Sequence, residues 1–137
     1  MNKILLEELS ILRDMGTINK YYAWLKANPE KVDLYRIGRA FEYATMRKLR
    51  SCGWYCVRKF GSKGFEDVAA MRFKQFALIQ CKYSRYQNTS PEKFDLKGLI
   101  ALAKRYGAEA VFAGVANRHL YFMSYKDGGW KTWNPNG

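Results

Sequence analysis

Cysteine is scarce and odd in number, with only Cys52, Cys56 and Cys81. Three thiols make no disulfide framework, so reduced thiols in a cytoplasmic protein are expected. The Cys52-x3-Cys56 pair has no second pair to complete a zinc site, and the one histidine, His119, is remote in sequence. Cys52 and Cys56 fall at a helix end and in the strand after it, where small buried hydrophobes belong. No apolar run approaches the ~18–20 residues that span a membrane. The N-terminus lacks the charged-then-apolar pattern of a signal peptide. Internal repeats and low-complexity segments are also missing. The largest deficit is of acid: 12 Asp and Glu against 24 Lys and Arg, a net charge of +12. Such an imbalance points to a polyanionic partner, most often nucleic acid; the competing explanation is a basic surface with no partner.

What is present fits one domain with a sizeable core, since 48% of the 137 residues are hydrophobic. Aromatic residues make up 16% of the chain. Some of them could stack on bases, but most are expected in the core. Residues 3–14 carry Leu5, Leu6, Leu9 and Leu12 at helical spacing, and Met15-Gly16 ends that helix. A second helix over 18–28 stops at Asn28-Pro29. A third runs over 33–51 with Leu34, Ile37, Phe41, Ala44, Thr45 and Leu49 as its apolar stripe, and Gly53 ends it. Strands are expected at 54–59, 67–73, 76–83, 110–116 and 119–125, with a helix capped by Asp95 and ended by Gly107 before the fourth. Asp127-Gly128-Gly129 reads as a turn and 130–137 as a short tail. Three strands, a crossover helix and two more strands predict an α/β fold, a mixed β-sheet flanked by helices, behind an N-terminal helical hairpin. The expected division is 1–33 for the extension and 34–137 for the main domain.

One stretch speaks about chemistry. Glu42 lies on the third helix, Arg58-Lys59-Phe60-Gly61-Ser62-Lys63-Gly64 forms a basic Gly/Ser loop, Asp67 opens a strand, and Gln80-Cys81-Lys82 lies on the next. Hydrolysis of a phosphodiester needs a metal ion that activates water and takes up charge on the phosphate. Mg²⁺ takes oxygen ligands, usually one or two carboxylates with waters and phosphate. Asp67 and Gln80 supply two oxygens if their strands are neighbours. Lys82 follows Gln80 by two residues, so both side chains share a face, and its ammonium could orient or deprotonate the attacking water. Glu42 reaches the same place if its helix packs across the end of the sheet. Each piece alone is ordinary: a surface carboxylate, a strand cap, the wet face of a sheet, a flexible loop. Order and spacing give the set its meaning.

That order resembles the archaeal-type Holliday junction resolvases, within the PD-(D/E)xK nuclease superfamily. The likeness spans Tyr35 to Tyr125. It runs through Tyr35-Arg36-x-Gly38-x3-Glu42, Leu49, Gly53, Val57-Arg58, Gly61-Ser62-Lys63, Asp67-Val68-Ala69, Gln80-x-Lys82 and Arg105-Tyr106-Gly107. The resemblance implies a restriction-endonuclease-like fold and an Mg²⁺-dependent endonuclease, with Mn²⁺ as a substitute, acting as a homodimer on branched DNA. It implies that Glu42 and Asp67 bind metal, that Lys82 is catalytic, and that Arg58 and Ser62 sit near the scissile phosphate; Gln80 is expected as the third metal ligand and part of the catalytic set. It also implies products with 5′-phosphate and 3′-hydroxyl ends.

Three features depart from the family pattern. Gln80 stands where resolvases carry Glu, which leaves two carboxylates and a neutral amide oxygen; Gln-x-Lys is the form seen in Mrr-like restriction nucleases. Glu66 replaces the usual Pro before Asp67, and alternation turns it to the opposite face. About 34 residues precede the point where ordinary resolvases begin; they could cover a sheet face, extend a dimer surface, or contact DNA through Lys20, Lys26 and Lys31. Arg36, Arg39, Arg58, Lys59 and Lys63 are the expected DNA-binding residues beside the site. The apolar strands of Ala110 to Tyr125 are either a subunit contact or ordinary sheet core. The expected function is resolution of four-way DNA junctions by phosphodiester hydrolysis. Its rivals are an Mrr-like or repair endonuclease on duplex, flapped or modified DNA, a DNA-binding protein of the same fold weakened in catalysis, and a basic structural or RNA-associated domain.

Overall fold

Asp33 sets the start of the helix that carries Glu42. Its side-chain oxygen accepts the Arg36 backbone N–H at 2.9 Å, satisfying one of the donors a helix leaves open at its first turn. In this computed structural model, which describes residues 20–59, 65–84 and 87–137, the helices are α1 (Lys20–Ala27), α2 (Leu34–Ser51) and α3 (Lys97–Tyr106). The strands are β1 (Tyr55–Arg58), β2 (Val68–Arg72), β3 (Gln75–Cys81), β4 (Glu109–Ala116), β5 (His119–Lys126) and β6 (Gly129–Thr132). The expected first helix over 3–14 lies outside the described residues.

The six strands form one sheet in the order β1-β2-β3-β4-β5-β6. Only β3 and β4 run parallel; every other pair is antiparallel. The parallel pair needs a crossover, and α3 supplies it, as a parallel connection of this length requires. The expected mixed sheet flanked by helices is therefore the observed fold. The sixth strand stands where a tail was expected. Asp127 and Gly128 both have positive φ, 53° and 81°, and close a tight hairpin in which Lys126 pairs with Gly129. Asp-Gly is the strongest short hairpin signal in a sequence, and here it outweighs the shortness of the strand after it.

The stripe on α2 buries as its spacing predicts. Ile37, Phe41, Ala44, Thr45 and Leu49 are all within 3% of full burial, and burying a side chain such as Phe41 or Leu49 stabilises by about 1.5–3 kcal/mol. Leu34 is the exception at 71% exposed, because it sits in the first turn beyond the edge of the packed sheet. Met46 and Leu49 join Cys56, Val68, Ala70, Ala77, Ile79, Val111, Ala113 and Phe122 in the main core. Leu25 and Val32 pack with Ile37, Phe41 and Val115, so the described part of the extension is seated on α2 and β4. On the other face, Leu99 and Ala103 of α3 pack on Ala110, with Leu78 beside them. Asp95 lies one residue before the helix cap, and its carboxylate accepts the Lys97 N–H at 3.2 Å.

Gly53 and Gly107 end α2 and the crossover helix with φ of 89° and 67°, a left-handed conformation that costs glycine little. Cys56 is buried, Cys52 and Cys81 are half-buried, and all three are free thiols. Val111, Phe112 and Phe122 are at most 5% exposed within their own subunit. Of the two readings left open for them, sheet core is the one found. Apolar side chains that do face out include Tyr55, Val57, Met71, Phe73, Phe76 and Tyr106.

Candidate active site

At the end of the sheet where β2 begins and β3 finishes, the ladder between them gives way to a side chain. Val68 pairs with Ile79, and the Asp67 N–H still donates to the Ile79 carbonyl at 2.8 Å. The next donor on that side of β3, the Cys81 N–H, finds no main-chain carbonyl and donates instead to Asp67 Oδ2 at 2.8 Å. This hydrogen bond fixes the carboxylate between the two strands. Lys82 follows directly, its own N–H bound to the Ala113 carbonyl of β4 at 2.9 Å. Gln80 is half-buried and aligned with Phe112 of β4, and its amide group makes no hydrogen bond to the described residues.

Glu42 arrives from α2. Arg58, the last residue of β1, donates from Nε to Glu42 Oε1 at 2.8 Å, with the arginine side chain 10% exposed and the glutamate 21%. The guanidinium also lies over the Tyr43 ring, 5.6 Å from its centroid. A cavity of about 330 Å³ opens beside the pair, lined by Glu42, Lys82, Cys81, Tyr83 and the Leu34–Phe41 face of α2. The Lys82 ammonium has no carboxylate partner among the described residues; it rests over the Phe94 ring, 5.1 Å from the centroid.

The electrostatics are those of a crowded anionic site. Burial pushes the Glu42 carboxyl above its ordinary value, and the charge of Asp67 adds to the push; Arg58 pulls the other way. Asp67 is raised as well, again by burial first, against the Cys81 N–H, Lys82 and Arg58. Two half-buried carboxylates whose proton affinity rises together form a place where a bound cation relieves both desolvation and mutual repulsion. Among the described residues no group of three or more His, Cys, Asp or Glu side chains is placed to hold a metal. Among the described residues the neighbouring oxygen donor of another type is Gln80, which precedes Cys81 at the end of β3.

The remaining expected residues fall in three groups. Ser62 and Lys63 lie outside the described residues. Arg36 is engaged at the start of α2, bonded to Asp33 at 3.1 Å and to the Lys31 carbonyl. Lys59 pairs with Glu66 at 2.5 Å, which keeps Glu66 away from Asp67's ligand position, on a groove shared with Leu78, Leu102 and Tyr106. Arg39 donates to the Tyr35 hydroxyl at 2.6 Å and stacks on that ring, while its buried Nε has no partner among the described residues.

Residues 33–128 match the family described as archaeal Holliday junction resolvase (Hjc), about seven tenths of the chain. The chain belongs to the archaeal Holliday junction resolvase family. The crossover junction endodeoxyribonuclease Hjc of Methanocaldococcus jannaschii is 30% identical over 90 residues, covering 66% of this chain and 67% of that protein. The solved structure of Archaeoglobus fulgidus Hjc, a Holliday junction resolvase from an archaeal hyperthermophile, superposes with a TM-score of 0.51. It is 20% identical and covers 68% of this chain and 80% of its own, a likeness in fold. Family membership makes this chain a nuclease of the resolvase type, with a divalent-metal dependence that the family implies. Among the described residues no helix is long and apolar enough to cross a membrane.

Proposed function

We propose that this resolvase-family protein is a homodimeric, Mg²⁺-dependent endonuclease that resolves four-way DNA junctions. In this reading Glu42, Asp67 and Gln80 hold the ion and Lys82 is the catalytic lysine. The observation that carries the reading is the convergence of Glu42 and Asp67, both half-buried and both raised above their ordinary values by burial, with the charge of Asp67 adding to the rise at Glu42, beside an ammonium with no carboxylate salt bridge among the described residues. Two carboxylates and a neutral amide oxygen suit a hard cation that keeps several waters. When bound, such an ion activates a coordinated water and takes up charge on the phosphate.

The chain's own residues do the rest. Arg58 holds Glu42 through Oε1 and leaves its second oxygen for a ligand. The Cys81 N–H does the same for Asp67 by occupying Oδ2. The Lys82 ammonium, which forms no salt bridge among the described residues, is suited to hold a non-bridging phosphate oxygen or to orient the attacking water. Arg39, Arg58 and Lys59 offer positive charge to DNA phosphates, and the sequence assigns Ser62 and Lys63, outside the described residues, to the same role. Isologous pairing of two subunits matches two copies of one site to the two strands cut in a junction.

The test is cleavage of a synthetic four-way junction and a matched linear duplex in Mg²⁺, Mn²⁺ or EDTA, with light scattering for the assembly. Symmetric, metal-dependent cuts on the junction by a dimer are expected. Gln80 gives the Mrr-like reading its one foothold, and a monomer that nicks the duplex as readily as the junction would favour that reading.

A further inference from the structure

Lys82 sits just past the end of β3, where the strand no longer holds it on both sides. Seven residues later in the chain stands Thr89, a residue 5% exposed with all of its polar atoms engaged. The Thr89 hydroxyl donates to the Lys82 carbonyl at 2.9 Å and accepts the Val115 N–H at 2.8 Å. The Thr89 N–H donates to the Val115 carbonyl at 2.9 Å, and its own carbonyl accepts the Tyr121 hydroxyl. One hydroxyl thus ties the backbone of Lys82 to β4, using the donor and the acceptor capacity that only Ser and Thr combine in so small a side chain.

The surroundings are shaped for this contact. A Cβ placed on Gly114 would lie 2.6 Å from the Thr89 hydroxyl and 2.5 Å from the Phe112 ring, so a glycine there admits both. Five residues further on, Phe94 lies under the Lys82 ammonium and packs on Phe112, ring centroids 5.9 Å apart. The segment 87–94 therefore touches Lys82 at both ends, its carbonyl through Thr89 and its ammonium through Phe94.

We infer that Thr89 is the positioning residue for Lys82, setting where the ammonium projects at the cleavage site, with Phe94 completing the hold. The inference rests on the reading of Lys82 as the catalytic lysine. A shift of about 1 Å in a catalytic group can cost on the order of 10²-fold in rate, so a backbone clamp is where such precision would be set.

Single-turnover cleavage of a four-way junction in Mg²⁺ tests it, each variant assayed well below its own melting temperature, with junction affinity measured separately in EDTA. Thr89→Val keeps the branched shape and removes the hydroxyl; about a tenfold or greater loss of rate is expected, with affinity unchanged. Thr89→Ser returns the hydroxyl and should come within about threefold of the unmodified protein. Trp133→Phe, which removes a 2.9 Å bond to Glu109 far from Lys82, supplies a loss of stability without a loss of rate. Thr89→Val cleaving at full speed while Lys82→Ala is inactive would overturn the inference. Equal slowing of Thr89→Val and Trp133→Phe would overturn it too, by reducing Thr89 to a stabilising residue. Lys82→Ala cleaving at full speed would instead overturn the reading beneath it.

Discussion

Asp67 separates stability from function, and two substitutions there should move in opposite directions. Its carboxylate accepts the Cys81 N–H at 2.8 Å in a half-buried position. Asp67→Ala leaves that N–H without an acceptor, a loss that costs about 1–3 kcal/mol. For a chain of this length the melting temperature falls by roughly 3–15 °C. Asp67→Asn keeps an oxygen for the same N–H but removes the charge. The carboxyl is raised above its ordinary value, so burial outweighs the help from Cys81, Lys82 and Arg58, and the ionised form is a net cost to the metal-free fold. Asp67→Asn should melt at or above the unmodified protein in EDTA at neutral pH.

The pH dependence follows with a definite sign. A carboxyl whose folded value lies above its unfolded one adds stability below the unfolded value and loses it as pH rises through the folded value. The advantage of Asp67→Asn should therefore be absent below the ordinary carboxyl value of 3.8, open above it and reach a plateau at neutral pH. Mg²⁺ should reverse the order by stabilising the unmodified protein alone, by about 2.7 kcal/mol at a hundred times its dissociation constant, and so raising its melting temperature. Calorimetry in EDTA and in Mg²⁺, across pH 3–8, reads all of this. An Asp67→Asn variant that melts well below the unmodified protein in EDTA would refute the argument from burial.

Three further outcomes are expected. Gln80→Glu adds a negative charge beside the ion and should lower the Mg²⁺ concentration for half-maximal cleavage; an unchanged value means that residue 80 is not a ligand. Junction affinity should fall with salt, with a log–log slope steeper than about −3, since each phosphate contact contributes roughly −0.9, and a slope near zero in a filter-binding titration would remove DNA as the partner. Gly114→Ala should destabilise by about 1–3 kcal/mol in denaturant unfolding, because its Cβ would meet Thr89 and Phe112 at 2.6 and 2.5 Å, and a neutral result would show that the strap shifts freely.

The features legible in the sequence are those that one local pattern decides. Spacing alone gives the buried face of α2 from Ile37 to Leu49, and single glycines give the ends of α2 and the crossover helix. The order Glu42, Asp67, Gln80, Lys82 is visible in the sequence because each lies in or beside an element that a local pattern marks. What escaped depends on partners distant in the chain. Thr89 stands in a polar loop like any other threonine there; its meaning comes from Lys82, Val115 and Tyr121, up to 32 positions away. Phe94 reads as an ordinary aromatic near a helix start until the fold lays it under Lys82. Arg36 was legible as a cation but not as a cap partner, since its bond to Asp33 belongs to the turn that starts α2. The strands from Val111 to Phe122 carry the same apolar pattern whether they face a core or a second subunit. Packing decides it: α2 covers Val111, Ala113 and Phe122, while Phe94, Tyr121 and Trp130 pack around Phe112.

The glutamine at position 80 has a physical logic in the charge balance of the site. Glu42 and Asp67 bring two negative charges, and Arg58 and Lys82 bring two positive ones close enough to bear on the carboxylates. That balance is already strained toward protonation, because burial raises both acids despite their cationic neighbours. A third carboxylate at Gln80 would add a like charge in the same half-buried space, raise the other two further and cost the metal-free protein stability. An amide oxygen offers a ligand without that cost, at the expense of affinity for the cation. The strong positive field of a chain carrying +12 attracts phosphate as it repels free metal ions. Bound DNA reverses the local sign and can supply oxygens of its own. A site with two carboxylates and Gln80 should therefore take its metal most readily with the substrate already in place, so that cleavage, more than metal binding to the free protein, reports its affinity.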